Sequence, residues 1–239
     1  MTVSSPLKVC WWRDNNNFGD CLTPFLLKEL GGISVVWSHI NEADLIGAGS
    51  LLEFIPHTYK GIIFGSGRMF NGMRFDLRDC NVLALRGKLT KESCLTDCEI
   101  MGDLGLLCNR FKDEKIKKEY FIGVISHWNH QELIDEYPGA LKIDITGDVK
   151  GIIEAVQRCE RIVSSSLHGL VLADAMGIMR KWVYTNKNPG EGFKFYDYHS
   201  IFGDSLMNNE WYMADQRVVS EVSDRLFQQL LKVKEICGV

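Results

Sequence analysis

Short apolar runs alternate with segments of helical spacing from one end of this sequence to the other. Residues 8–12, 34–37, 43–47, 61–64 and 81–85 are brief apolar stretches without strict alternation. That is the signature of strands covered on both faces. Helical spacing follows over 22–30, closed by Gly31-Gly32, and over 88–95. The second half repeats the scheme, with strands over 120–126, 140–145 and 181–185, a short helix over 131–136 and a longer one over 148–159. From Arg161 to Gly177 a β-branched run passes through Ser164, Ser165 and Ser166 into an apolar helix. Val218, Val219, Val222, Leu226, Leu230 and Val233 stand near helical spacing and predict an amphipathic helix over 215–237. Strands alternating with helices predict an α/β fold with mainly parallel sheets. The charged run 111–118 reads as a linker or as a solvated helix face. Taken as a linker, it separates a Rossmann-like domain over 1–112 from a second over 119–239 that carries the terminal helix, two halves around a cleft.

Composition narrows the function classes. With 239 residues, 46% of them hydrophobic, the chain can bury a sizeable core. A net charge of −4 without a Lys/Arg run disfavours nucleic acid as a partner. Met1-Thr2-Val3-Ser4-Ser5-Pro6 lacks the basic start and apolar core of a secretory signal, and no apolar stretch nears the ~20 residues that span a bilayer. A cytoplasmic protein is expected, with peripheral contact at the inner face of the membrane left open. The eight cysteines include no C-x-x-C pair, so neither zinc nor disulfides are expected and the metal set is empty.

In open α/β sheets ligands bind beyond the carboxyl ends of strands, so the candidate chemistry lies in the residues that follow each strand. The serine turn before His168 offers unpaired helix N–H groups, the positive end of the helix dipole and hydroxyl donors, a setting for a phosphate or carboxylate; an ordinary N-cap is the alternative. Asn15-Asn16-Asn17-Phe18-Gly19-Asp20 follows the first strand; Gly19 permits close backbone approach, and Asp20 is expected as a helix cap. Gly47-Ala48-Gly49-Ser50 and Gly65-Ser66-Gly67-Arg68 are turns open to a ligand, but neither is a nucleotide-binding glycine motif. Arg86, beside Gly87, is suited to a bidentate grip on an anion or to a surface salt bridge. Ser126-His127-Trp128 offers polar groups and a ring on which a sugar can stack, with a buried tryptophan as the alternative. Lys194 with Tyr196 and Tyr198 offers a cation and aromatic faces, or a packed loop.

These segments together resemble the polysaccharide pyruvyl transferase family. The match rests on Asn17-Phe18-Gly19-Asp20, Gly49-Ser50, Gly65-Ser66-Gly67, Arg86-Gly87, Gly102-Asp103, Ser126-His127, Ser164 to Leu170 with Ala173-Asp174-Ala175, and Phe193-Lys194 with Tyr196-Asp197-Tyr198, in that order. The resemblance implies a GT-B-like pair of Rossmann halves, phosphoenolpyruvate as donor substrate, no cofactor, and a polysaccharide or lipid-linked oligosaccharide as acceptor. The product it implies is a cyclic pyruvate ketal on one hexose. By motif position, Arg86 and His168 hold the donor, with Ser164, Ser165, Ser166, Gly67, Arg68 and Lys194 around it. His168 is the expected general acid and His127 or Asp20 the base. Trp128, Tyr196, Tyr198 and Asn17 are expected to face the acceptor. Where many members carry an arginine two residues before the histidine, this chain has Ser166, and Lys194 or Arg68 would compensate. Rival readings are a GT-B glycosyltransferase using a nucleotide sugar and a glycan-binding protein without activity.

Overall fold

Each apolar run becomes a strand because neighbours on both sides cover it, and each polar turn after a strand faces outward from the sheet's carboxyl edge. The computed structural model describes residues 5–238, so Met1–Ser4, part of the segment read for a targeting signal, lie outside the described residues. The first half runs β1 (Leu7–Cys10), α1 (Phe18–Glu29), β2 (Val35–Trp37), β3 (Leu45–Ile46), β4 (Ile62–Ser66), β5 (Phe75–Asp76), β6 (Asn81–Leu85), α2 (Lys88–Glu92), β7 (Cys94–Leu95) and a 3-10 helix over Leu104–Phe111. The second half runs β8 (Tyr120–Ile125), a 3-10 turn over Gln131–Glu136, β9 (Leu141–Lys142), α3 (Val149–Gln157), β10 (Cys159–Ser164), α4 (Leu167–Met176), β11 (Met179–Trp182), α5 (Phe193–His199), β12 (Trp211–Tyr212) and α6 (Gln216–Ile236).

The protein is mixed α/β with two five-stranded sheets. The first has the order β2-β1-β3-β4-β6 and is parallel throughout. The second has the order β12-β11-β10-β8-β9 and is parallel except for β12 at its edge. β5 and β7 form a separate two-stranded ribbon. Its second strand ends the helix expected over 88–95 at Glu92, because the Phe75 and Leu77 N–H groups donate to the carbonyls of Ser93 and Leu95. Segment 193–198, with a loop as its alternative reading, is helical: Gly192 turns the chain at φ 84° and Asp197 is held by Thr90.

Caps mark the helices. Asn17 accepts from the Gly19 N–H, Asp148 from the Gly151 N–H and Asp215 from the Arg217 N–H, each at the start of a helix. The cap of α1 is thus Asn17, and Asp20 stands inside the first turn with its carboxylate free of that duty. Gly177 at φ 68° ends α4 in the left-handed conformation that glycine adopts without strain.

α4 joins the two halves. Every residue of it is buried, and it packs on β10 and β11 of its own sheet and on α1 and Leu104–Phe111 of the first half. A helix apolar on all sides needs cover on all sides. One hydrophobic core accordingly runs through both halves, from Leu22 and Leu106 to Val171 and Leu230. The exposed run 112–118 crosses between the sheets without forming a helix. α6 returns across that junction: Val222 and Leu226 lie beside Gly102, and Leu230 beside Gly31.

Candidate functional site

A parallel sheet opens a crevice where the chain leaves adjacent strands toward opposite sides. β1 lies between β2 and β3, and β8 lies between β9 and β10, so each sheet has one such point. The loops after β1, β3, β8 and β10 line one cavity of about 250 Å³. Trp12, Asn15, Asn17 and Asp20 come from the first connection, and Gly49, Ser50 and Leu51 from the loop after β3. His127 and Trp128 follow β8, Ser166 and His168 follow β10, and Lys194 of α5 closes the wall. A space of this size suits a ligand smaller than a drug-like molecule.

His168, in the first turn of α4, forms the floor of the cavity. Its ring lies on Gly19: a Cβ there would stand 1.7 Å from Nδ1, so close approach, not φ, requires this glycine. On the other side Nε2 is 3.5 Å from Oδ2 of Asp103, which is fully buried. The remaining Asp103 oxygen accepts from the Gly105 N–H at 2.8 Å. Neither His168 Nε2 nor Asp103 Oδ2 has a hydrogen-bond partner. Burial alone would raise the Asp103 pKa, but the facing imidazole and the Gly105 N–H more than offset it and hold the carboxyl below its ordinary range.

Three more titratable groups face the same space. Burial pushes Asp20 up to about 6, against the pull of His168 and Lys194. Burial and then the nearby Arg86 push Lys194 down to about 8, against the pull of Asp20. Burial and then Lys194 push His127 down to about 4, although Asn129 holds its Nδ1 at 2.5 Å. Near pH 7 the cavity therefore contains an ionised Asp20, a cationic Lys194 and a neutral His127.

The serine trio divides. Ser164 Oγ lies 2.8 Å from the Ile125 carbonyl and accepts from the Ser166 N–H, and Ser165 Oγ accepts from the His127 N–H, so both are consumed in shaping the turn. Ser166 lines the cavity at the N-cap of α4 and makes no capping bond with its side chain. Its hydroxyl and the first N–H groups of the helix stay available to an anion.

Arg86 stands behind the cavity wall. It is completely buried; Nε donates to Asp197 at 2.9 Å, one terminal nitrogen donates to Ser50 Oγ at 2.9 Å, and the other to the Arg68 carbonyl. Instead of facing the cavity, it fixes Ser50, which does face it. Gly67 is the gap through which this guanidinium passes, since a Cβ there would lie 2.3 Å from Cζ. Arg68 is also fully buried, donating to the Met73 carbonyl at 2.6 Å and lying 3.5 Å from Glu53, away from the cavity. Of the two cations expected to compensate for Ser166, Lys194 is the one that reaches the site. The Tyr198 hydroxyl donates to the buried Asp174 at 2.9 Å, and Tyr196 edges a separate recess with Phe193. Trp128 and Asn17 line the cavity.

Asp103 and Ser50 had no assigned role in the sequence. Gly102-Asp103 is among the segments that carry the resemblance, but nothing local to it points to His168, and in the structure Asp103 also caps the Leu104–Phe111 turn. All eight cysteines are unpaired, and among the described residues no group of three His, Cys, Asp or Glu side chains is placed to hold a metal. Among the described residues no helix is long and apolar enough to cross a membrane.

The family described as polysaccharide pyruvyl transferase matches residues 73–178. An uncharacterised protein of Acanthamoeba polyphaga mimivirus is 31% identical over 209 residues, covering 78% of this chain and 71% of that protein. The succinoglycan biosynthesis protein ExoV of Rhizobium meliloti is 26% identical over 205 residues, covering 81% of this chain and 64% of ExoV. The chain belongs to the polysaccharide pyruvyl transferase family. The stretch matched to the family contains Arg86, Asp103, His127, Ser166 and His168 and ends before Lys194; Asp20 lies ahead of it. The cavity thus joins family-matched residues to groups from both flanks. A crystal structure of an uncharacterised Klebsiella pneumoniae protein aligns with a TM-score of 0.48 at 12% identity, over 82% of this chain and 87% of that one.

Proposed function

We propose that this protein transfers the three-carbon unit of phosphoenolpyruvate to a hexose of a polysaccharide or its lipid-linked precursor, forming a cyclic ketal. The observation that carries the reading is the small cavity in which His168, backed by Asp103 at the start of α4, meets Asp20 and Lys194. A phosphorylated enol acid needs converging cations and N–H donors, a proton source for its methylene carbon and a base for a hydroxyl. Lys194, the Ser166 hydroxyl and the N-terminus of α4 hold the anionic groups. His168 gives a proton to the methylene carbon, which becomes the methyl group and leaves C2 cationic. One sugar hydroxyl adds to C2, phosphate departs with cleavage of its C2–O bond, and the second hydroxyl closes the ring. Of the two hydroxyl protons, one replaces the proton supplied by His168 and the other leaves with phosphate.

The shifted pKa values favour one of the two expected bases. Asp20, at about 6, is nearer to working pH than His127, at about 4. A base works best when its pKa lies near that pH, so Asp20 takes the hydroxyl proton and His127 serves the site as a neutral hydrogen-bonding wall. Arg86 is a positioning residue acting through Ser50 and the field on Lys194. The GT-B-like arrangement, the domain limits 1–112 and 119–239, a cytoplasmic site of action and contact with the inner membrane face belong to the same reading.

The test is to incubate the protein with phosphoenolpyruvate and lipid-linked or free oligosaccharides, following phosphate release and product mass. A product heavier by one pyruvate less one water, with equimolar phosphate, is expected. No such product across the acceptors, together with thermal stabilisation by a nucleotide sugar and none by phosphoenolpyruvate, would overturn the reading.

A further inference from the structure

The reaction cavity holds a small acid and the edge of one sugar, so the rest of an acceptor must lie outside it. A second cavity of about 370 Å³ shares Trp12, Leu51 and Phe54 with the first as a common wall. Trp37, Arg13 and His39 form its far side, at the carboxyl edge of β1 and β2. Trp12 is 49% exposed, Trp37 39% and Phe54 46%, whereas Trp182 in the core is 1% exposed. Large aromatic rings left open in a cluster mark a contact surface.

The rings are also held in place. Trp37 Nε1 donates to the Trp11 carbonyl at 3.1 Å, and the Arg13 guanidinium lies 5.0 Å from the centre of the Trp37 ring. Trp12 and Phe54 meet at 5.9 Å and 39°, too tilted to cover one another's faces. Fixed aromatic faces suit the C–H faces of pyranose rings, and interleaved arginine, histidine and asparagine side chains suit their hydroxyls. A flat apolar partner or an acyl chain would leave those polar groups without bonds.

We propose that this second cavity is a subsite for the sugars adjoining the modified hexose, so that the protein recognises an oligosaccharide instead of a single sugar. The occupant is argued from continuity: whatever sits between Trp12 and Trp37 abuts the ligand beside His168. The proposal rests on the pyruvyl-transfer reading for its purpose, but its binding test is independent of it.

That test uses isothermal titration of linear gluco-, galacto- and manno-oligosaccharides of one to five units, without donor. Affinity is expected to rise with length in at least one series. Trp37→Ala, which lies outside the reaction cavity, should weaken the longer sugars about tenfold, with single sugars unaffected and Trp37→Phe restoring much of the loss. Circular dichroism and melting temperature confirm that each variant is folded. Length-independent binding in every series, or wild-type affinity in Trp37→Ala, overturns the subsite. So does Trp37-dependent binding to phosphatidylglycerol vesicles in place of sugars. Length-dependent binding without any pyruvyl transfer overturns the catalytic reading and leaves the sugar subsite standing.

Discussion

Arg86 with Asp197 and His168 with Asp103 each set a basic side chain against a buried carboxylate, and both join the first half of the chain to the second. In the first pair all donors and acceptors are matched: each Arg86 nitrogen has an acceptor, and Asp197 also accepts from the Thr90 backbone and hydroxyl at 2.7 Å. The second pair stands 3.5 Å apart, with Nε2 and Oδ2 both unbonded and the ring open to the cavity. A fully satisfied buried network rigidifies a fold, while a partly satisfied one keeps capacity for a ligand or a proton. Residue type is therefore a poor guide to role here. An arginine suited to gripping phosphate is structural, and a histidine in a helix turn faces the cavity.

Substitutions should separate the two pairs. The largest effect is expected from Arg86→Ala, which strands the Asp197 carboxylate and should cost about 3–5 kcal/mol of stability in urea unfolding. Arg86→Lys should lose much of the same, because an ammonium cannot span three acceptors set by a planar fork. If either variant melts like the wild type, the structural assignment of Arg86 is wrong. His168→Ala should do the opposite: turnover falls by roughly 10²–10⁴-fold while the protein still folds and loses less stability than Arg86→Ala. A variant that still turns over at a near-normal rate would take His168 out of the chemistry.

Asp103→Asn keeps the shape of the floor and removes its charge. By analogy with carboxylates that orient metal-bound imidazoles, roughly 10–100-fold of turnover should go. A variant with wild-type turnover would reduce Asp103 to a helix cap.

The smallest effect is the pH dependence of the native protein. Asp20 must be ionised to accept a proton, so activity should rise with pH through about 6. Lys194 must be protonated to hold an anion, so activity should fall as pH passes about 8. Lys194→Met should abolish the alkaline limb and raise the donor KM, measured by steady-state rates at several pH values. An alkaline limb that survives the substitution belongs to another group.

The order of strands and helices was legible from local pattern because burial on both faces and helical spacing leave their marks within a few residues. Asn17, Asp20, Ser166 and His168 were recognisable for the same reason: the ends of parallel strands carry ligand-facing turns whatever their neighbours are. What α5 and β7 become was not legible, since a seven-residue aromatic helix and a two-residue strand exist only through Thr90–Asp197 and Phe75–Cys94 pairing. Charge satisfaction is non-local in the same sense. Asp197 lies 111 residues beyond Arg86, and Asp103 reaches His168 only after α4 has docked on Leu104–Phe111. Local chemistry along the chain decided where a site would form. Only tertiary packing decided which charges were consumed in holding the halves together and which were left facing the cavity, because a buried group's role depends on the partners that folding brings to it.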